Sequence, residues 1–135
     1  MKKILYNLSN HPSGRWGEEQ KMEWDVIVDI PFPVVTPEAT TEEVQKIADK
    51  YFLQILEKQE SNPSASASVM PQGEFALCYL LFEKLHRVFP IAVPTTQRVV
   101  EEKLDANGNV NKVSIFKFVG WRIIPPRITF IGRAI

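Results

Sequence analysis

The sequence predicts an α/β fold, in which a mostly parallel sheet carries helices on both faces and ends in an antiparallel hairpin. Short β-branched runs alternate along the chain with segments whose apolar residues recur at helical spacing, which is typical of strands joined by helices. Near the C-terminus, Asn107 and Gly108 separate two β-rich runs, and this dipeptide is a strong hairpin signal. The alternation predicts the parallel strands, and the dipeptide predicts the antiparallel one.

The first part of the chain predicts two strands separated by a polar loop and a short helix. Lys3–Leu8 is a buried strand, Ser9–Gly14 is the loop, and the helix lies near Arg15–Trp24. Asp25–Ile30 is the second strand. The segment after it is rich in proline and is predicted to be an irregular connection, because proline fixes φ and removes a backbone donor.

The middle of the chain predicts two helices around a strand of small residues. Thr40 or Thr41 caps the first helix, whose apolar positions repeat at helical spacing to about Gln59. Ser66–Met70 is a strand in the centre of the sheet, and Phe75–Val88 is a helix that is apolar on most sides.

The last part of the chain predicts the hairpin. Ile91–Leu104 is a strand with a break at Pro94, and Lys112–Ile124 returns as its antiparallel partner. The element order is that of a single Rossmann-like domain at residues 1–124. The basic, apolar tail at residues 125–135 is predicted to add a short edge strand.

The composition excludes some classes of function. The chain has 135 residues, of which 44% are hydrophobic, so one domain can form an ordinary core. Sixteen basic residues balance sixteen acidic ones, which argues against a binder of long nucleic acid but permits a small anionic ligand. Cys78 is the single cysteine and cannot form an internal disulfide, so we expect a reducing compartment. It lies on an apolar helix, so we expect it to be a core residue.

We therefore expect a cytoplasmic protein with no membrane partner. The first apolar stretch is too short and too polar for a signal peptide, and no run has the length of a membrane span. His11, His86 and Cys78 lack metal-ligand spacing, so no metal site is predicted. No glycine-rich dinucleotide fingerprint is present, and no cofactor is predicted.

The polar loop after the first strand is the first candidate site, because ligands of such sheets bind beyond the carboxyl ends of the strands. Asn7, Ser9, Asn10 and His11 offer hydrogen-bond donors and acceptors there. The alternative is ordinary turn chemistry, in which Asn and Ser bond nearby backbone groups and Pro12 begins a bend.

Two further polar stretches follow the third strand and lie along the fourth. Gly73 and Glu74 precede a helix, whose first amides suit an anion, although Glu74 also complements the helix dipole. Thr95, Thr96 and Arg98 place two hydroxyls beside a guanidinium that can contact a phosphate at two points. The alternative for that arginine is a weak surface ion pair with the nearby glutamates.

Several segments together resemble small Rossmann-fold proteins associated with type III CRISPR systems, which are similar to CARF sensor domains and include ring nucleases. These segments are "NLSNHPS" with Trp16 and Gln20, "IVDIPFP", "GEF", "TTQRVVEE" and "FKFVGWR". The resemblance covers about residues 1–124 and implies a homodimer that binds a cyclic oligoadenylate across its two-fold axis. By position, it implies that Ser9 and Asn10 contact ribose or phosphate, that the amides at Gly73 and Glu74 hold a phosphate, and that Arg98 neutralises it. With the other polar side chains of the three stretches, the predicted ligand-binding residues are Asn7, Ser9, Asn10, Gly73, Glu74, Thr95, Thr96 and Arg98.

The resemblance also implies a reaction without a metal. The ribose 2′-hydroxyl attacks the adjacent phosphorus, and the protein holds it in line and stabilises the phosphate charge. In the implied catalytic pair, His11 transfers a proton and Arg98 neutralises the phosphate. Binding alone and binding with cleavage both stay open.

Two other functions also stay open. One is a non-enzymatic module on the same fold, whose apolar helix faces and basic tail bind a protein. The other is a different enzyme that acts on a nucleotide or phosphoester.

Overall fold

The computed structural model describes residues 1–127, so most of the tail with the predicted edge strand lies outside the described residues. Strands and helices alternate along the chain. The elements are β1 (Lys3–Leu8), a 3₁₀ turn (Ser13–Arg15), α1 (Glu18–Lys21), β2 (Val26–Ile30), α2 (Thr41–Glu60), β3 (Ser66–Pro71), α3 (Phe75–Leu85), β4 (Ile91–Leu104) and β5 (Val110–Ile124).

The strands form one sheet in the order β2-β1-β3-β4-β5. β1 to β4 are parallel, and β5 pairs antiparallel with β4, which confirms the predicted fold class. The chain reverses its direction of travel across the sheet between β1 and β3, since β2 lies on one side of β1 and β3 on the other. This topological switch point is where ligands of such sheets bind.

Helices cover both faces of the sheet, but unequally. α2 and α3 pack on one face, where Val44, Ile55 and Leu81 are buried against alternate residues of β1 and β3. The 3₁₀ turn and α1 lie on the other face, where Trp24 packs on Leu5 and a second, smaller core forms. Because α1 is one turn long, tryptophan side chains supply most of the cover on that face.

Some elements are shorter than the sequence predicts. The first helix is divided because Gly17 is extended (φ −71°, ψ 163°), which separates the 3₁₀ turn from α1. Asp25 lies just before β2 and accepts a hydrogen bond from the Lys3 amide at 2.7 Å. α3 ends at Leu85, and Phe89 then donates to the Leu85 carbonyl, which turns the chain into β4. The predicted cap of α2 is Thr40, which accepts from the Glu43 amide.

The predicted break at Pro94 is wrong, because β4 continues through it and Pro94 pairs with Trp121. The register between β3 and β4 includes only Val69 and Ile91 among the described residues. Past that point the proline interrupts no ladder with β3. The irregularity lies one residue later, as a bulge between Thr95 and Thr96.

The hairpin ends in a turn that one carboxylate organises. Asp105 Oδ1 accepts hydrogen bonds from the amides of Asn107 and Asn109 at 2.8 and 2.9 Å. These amides, chiefly that of Asn109, hold the pKa of the Asp105 carboxyl below its ordinary value. Gly108 has a φ of +79°, the left-handed conformation that favours glycine.

The core on the α2–α3 face is expected to carry much of the stability. Leu81 is completely buried, so Leu81→Ala should lower the free energy of unfolding by about 2–5 kcal/mol, measured in urea. Leu53→Ala is the matched control, because Leu53 is 57% exposed on α2 and should change stability by less than about 0.5 kcal/mol. Equal losses in the two variants would contradict this packing.

Candidate functional site

A buried amide lies at the carboxyl end of β1, at the switch point. Asn7 is fully buried, and its Nδ2 donates to Asp29 Oδ1 and to the His11 carbonyl, both at 2.9 Å. Its Oδ1 accepts from Ser9 Oγ at 2.6 Å. Asn7 and Asp29 face each other because they are register partners in β1 and β2. All polar atoms of this amide side chain are therefore used within the protein.

The same side chains shape the loop after β1. Ser9 is buried, and its Oγ accepts from the His11 amide at 3.1 Å. Asp29 accepts from the Ser13 amide at 3.2 Å and from Ser13 Oγ at 2.9 Å. Trp16 Nε1 donates to the His11 carbonyl at 3.1 Å, so this carbonyl has two donors. We call Asn7, Ser9, Ser13, Trp16 and Asp29 the loop-holding network.

The loop presents Asn10 and His11 to solvent. Both are exposed, as is Arg15 at the end of the 3₁₀ turn. Of the four loop residues that the sequence predicts as ligand contacts, two are buried in the network and two are exposed. Chemistry at this loop therefore depends on an amide and an imidazole, with one cation following closely in sequence.

A cluster of tryptophan side chains packs against Trp16 of the loop-holding network. The ring of Trp121 lies 5.9 Å from that of Trp16 and 5.4 Å from that of Trp24. Trp121 Nε1 also donates to the Gln20 carbonyl at 3.0 Å, which joins β5 to α1. Trp16 is thus held by two contacts, the hydrogen bond from its indole nitrogen to the His11 carbonyl and the packing of its ring on Trp121.

Gly73 has a packing role in the structure. A Cβ added at this position would lie 2.4 Å from the buried ring of Phe32, so the ring occupies the space of a side chain. Gln72, one residue earlier, donates from its amide to the Leu8 carbonyl at 3.0 Å. The close approach of this turn to Phe32 gives a reason for glycine that requires no ligand.

Glu74 caps α3 with its own carboxylate. Its Oε1 accepts from the amides of Ala76 and Leu77, which are amides that an anion would otherwise contact. The Cys78 amide donates to the Glu74 carbonyl, and burial is the main cause that raises the pKa of the Cys78 thiol. An anion at this helix start would therefore compete with a carboxylate already in place.

The residues predicted on the fourth strand lie farther out. Thr95 Oγ1 donates to the Gly120 carbonyl at 2.9 Å, and Thr96 is exposed. Arg98 contacts Ser114 Oγ through Nε and Nη2 at 3.1 and 2.9 Å. It is five residues past Val93, which is level with the end of β3, so it lies about 17 Å farther along the strand. The part of β4 that carries Arg98 therefore projects past the edge of the sheet at which β1 and β3 end.

Asp29 is the important residue that the sequence analysis missed. It is the acidic residue of "IVDIPFP", one position before the end of β2. The signal was available, because a polar residue near the end of a strand beside β1 can reach the loop. Recognising it required the pairing of Asn7 with Asp29, which single-strand patterns do not give.

A groove of about 660 Å³ lies elsewhere, between α3 and the start of β4. The residues that line it include Tyr79, Phe82, His86, Ile124 and Arg127. None of the predicted site residues lines it. Within residues 1–127, no helix is long and apolar enough to cross a membrane, and no group of three His, Cys, Asp or Glu is placed to hold a metal ion.

A family model described as the uncharacterized protein MJ1673 family matches residues 3–122. The chain belongs to this family. The match runs from β1 almost to the end of β5, so the MJ1673 family match includes the loop-holding network and every predicted site residue. No curated protein and no solved structure matches the chain.

The network predicts different roles for two asparagines three positions apart. Asn7→Ala should lower the free energy of unfolding by about 1–3 kcal/mol, because it leaves Asp29, Ser9 and the His11 carbonyl short of a partner. Asn10→Ala should leave stability within about 0.5 kcal/mol, since Asn10 is exposed. Urea denaturation compares the two, and a neutral Asn7 variant would show that the network does not stabilise the fold.

Packing on Phe32 predicts that Gly73→Ala is destabilising by about 1–3 kcal/mol, because the new methyl group forces the buried ring to move. Gly14→Ala is the matched control, since a Cβ there meets nothing within 4 Å. Thermal unfolding of both variants checks the prediction. If the Gly73 variant is as stable as the wild type, packing on Phe32 does not require this glycine. A contact between its backbone and a ligand would then be the remaining explanation.

Proposed function

We propose that the protein binds a cyclic oligoadenylate at the switch point between β1 and β3. The observation that carries the proposal is the loop-holding network, which fixes an exposed polar loop at the edge where this fold binds ligands. The segments that resemble CARF-like proteins support the choice of ligand, and they include this loop. The proposal places the protein in type III antiviral signalling in the cytoplasm.

The network is larger than a turn requires. Surface Asn and Ser side chains make turns without burial. Here the side chains of Asn7 and Ser9 are buried and hydrogen-bonded. Burial of a polar atom costs free energy unless that atom has a hydrogen-bond partner. A loop held in this way loses little conformational entropy when a ligand arrives, so its exposed groups bind more tightly than those of a mobile loop.

The exposed groups suit a nucleotide. The Asn10 amide has both donors and an acceptor, so it can bond a ribose hydroxyl or the edge of an adenine. His11 can donate to a phosphate oxygen or move a proton between the 2′-hydroxyl and the leaving oxygen. Arg15 supplies a cation beside the loop in sequence. Arg98 lies on the part of β4 that extends past this same edge, where its guanidinium contacts Ser114.

A second function is favoured by a different observation. Large apolar side chains are exposed on β4 and β5, which is unusual for a protein surface without a partner. This favours a protein-interaction module, with strands as its binding surface rather than the apolar helix faces and basic tail that the sequence predicts. The two functions are compatible, because the exposed apolar side chains lie on β4 and β5 and the exposed polar side chains of Asn10 and His11 lie on the loop.

Calorimetry with cyclic tri-, tetra- and hexa-adenylate tests the proposal. We expect one of these rings to bind the wild type, and Asn10→Ala to weaken it by about 1–3 kcal/mol through lost hydrogen bonds. Asn111→Ala is the matched control, because Asn111 is exposed on β5, away from the loop, and should leave the affinity unchanged.

Chromatography of the same mixtures separates binding from cleavage. If the protein is a ring nuclease, the ring is converted to a linear product with a cyclic phosphate end, and His11→Ala slows this step more than it weakens binding. If none of the three rings binds the wild type, the proposal fails. If Asn10→Ala keeps full affinity, the loop is not the binding site.

A further inference from the structure

The strands β4 and β5 continue past the end of β3 as a two-stranded ribbon, Thr96–Leu104 with Val110–Phe118. Residues paired across the ribbon share a face, and successive residues alternate between faces. Phe118 lies 5.6 Å from the ring of Trp121, so we call its side the tryptophan-side face. The members of this face are Thr96, Arg98, Val100, Glu102 and Leu104, paired with Phe118, Phe116, Ser114, Lys112 and Val110.

The tryptophan-side face exposes large apolar side chains. Leu104 is 74% exposed, Phe116 67%, Val110 56% and Val100 53%. On the opposite face, the apolar pair of Val99 and Ile115 is half-buried. A two-stranded ribbon is marginally stable in water on its own. Exposure of large apolar side chains to water is also unfavourable. The tryptophan-side face is therefore the one that needs a cover.

We propose that the tryptophan-side face of a second copy of this chain covers it, with the two ribbons stacked antiparallel about a two-fold axis at Val100. A two-fold interface is formed by the same patch on both subunits, so the patch must be complementary to itself. With the axis in the contact plane and perpendicular to the strands, β4 stacks on β4 and β5 on β5. Val100 then meets its own copy.

The charges on this face are complementary under that rotation. Arg98 lies two residues before Val100 and Glu102 two residues after it, so Arg98 faces Glu102 of the partner subunit, twice in the dimer. On β5, the ring of Phe116 faces Lys112 of the partner subunit, a cation–π arrangement. Phe118 in turn faces Val110 of the partner subunit. Every charged residue of the face thus meets an opposite charge or an aromatic ring.

Pairing of the two β5 strands edge to edge is disfavoured by the same residues. β5 is an edge of the sheet, but it carries Lys112 and Lys117 in its ribbon part, and lysines on edge strands oppose pairing with another chain. The bulge between Thr95 and Thr96 also increases the local twist at the base of the ribbon. A flat, continuous edge is therefore not available, whereas the apolar face is.

Light scattering on the nucleotide-free protein at micromolar concentration tests the inference. The wild type should have twice the 15.5 kDa mass of one chain, and Val100→Asp should have the mass of one chain, because two carboxylates would meet at the axis. Val113→Asp is the matched control, since Val113 pairs with Glu101 on the opposite face and should stay dimeric. Circular dichroism checks that both variants keep their fold.

A charge exchange tests the antiparallel register. Glu102→Arg alone should raise the dimer dissociation constant at least about fivefold, because it opposes Arg98 of the partner subunit. Adding Arg98→Glu in the same chain should restore wild-type dimerisation. A monomeric wild type, or equal dissociation in the Val100 and Val113 variants, would overturn the inference. A double variant no tighter than the single one would overturn the register.

The inference does not rest on the proposed ligand. All of these measurements are made without nucleotide, so failure of ribbon stacking is seen in the mass. Failure of cyclic oligoadenylate binding is seen separately in calorimetry.

Discussion

The hydrogen bond between Asn7 and Asp29 joins the carboxyl ends of two neighbouring parallel strands, and the loop above them depends on it. Asn7 is fully buried and can be tolerated there because each of its polar atoms has a partner. Through these hydrogen bonds, Asn7 holds the His11 carbonyl and the Ser9 hydroxyl in place. Asp29 then binds the backbone of Ser13, so the two strand ends determine the path of the chain on both sides of the exposed tip.

This arrangement divides the polar residues of the sheet edge into two groups. One group maintains the structure. It contains Asn7, Ser9 and Asp29 in the network, Gly73 against Phe32, and Glu74 as the cap of α3. The other group contains Asn10 and His11, whose side chains are exposed at the loop tip. The candidate site is therefore smaller than the number of polar residues suggests, and its chemistry belongs to an amide and an imidazole on a rigid loop.

Local signals in the sequence were sufficient for much of the fold. Thr40 with Glu43 marked the start of α2, and Asn107 with Gly108 marked the hairpin, because caps and turns depend on neighbouring residues. The candidate site was predictable only in its location at the end of β1. The roles of Asp29 and Gly73 depend on contacts with Asn7 and Phe32 that are distant in sequence, and the position of Arg98 depends on how far β4 extends past β3.

The central claim is that side chains from the strand ends, rather than local turn preference, hold the loop in its shape. Amide hydrogen exchange at Ser13 tests it most directly, because this amide donates to Asp29 from a loop at the protein surface. The account predicts that exchange at Ser13 becomes at least about tenfold faster in Asp29→Ala, since a hydrogen bond to a charged group is lost, while exchange at Ile55 in α2 is unchanged. Equal rates at Ser13 in the wild type and the variant would contradict the account.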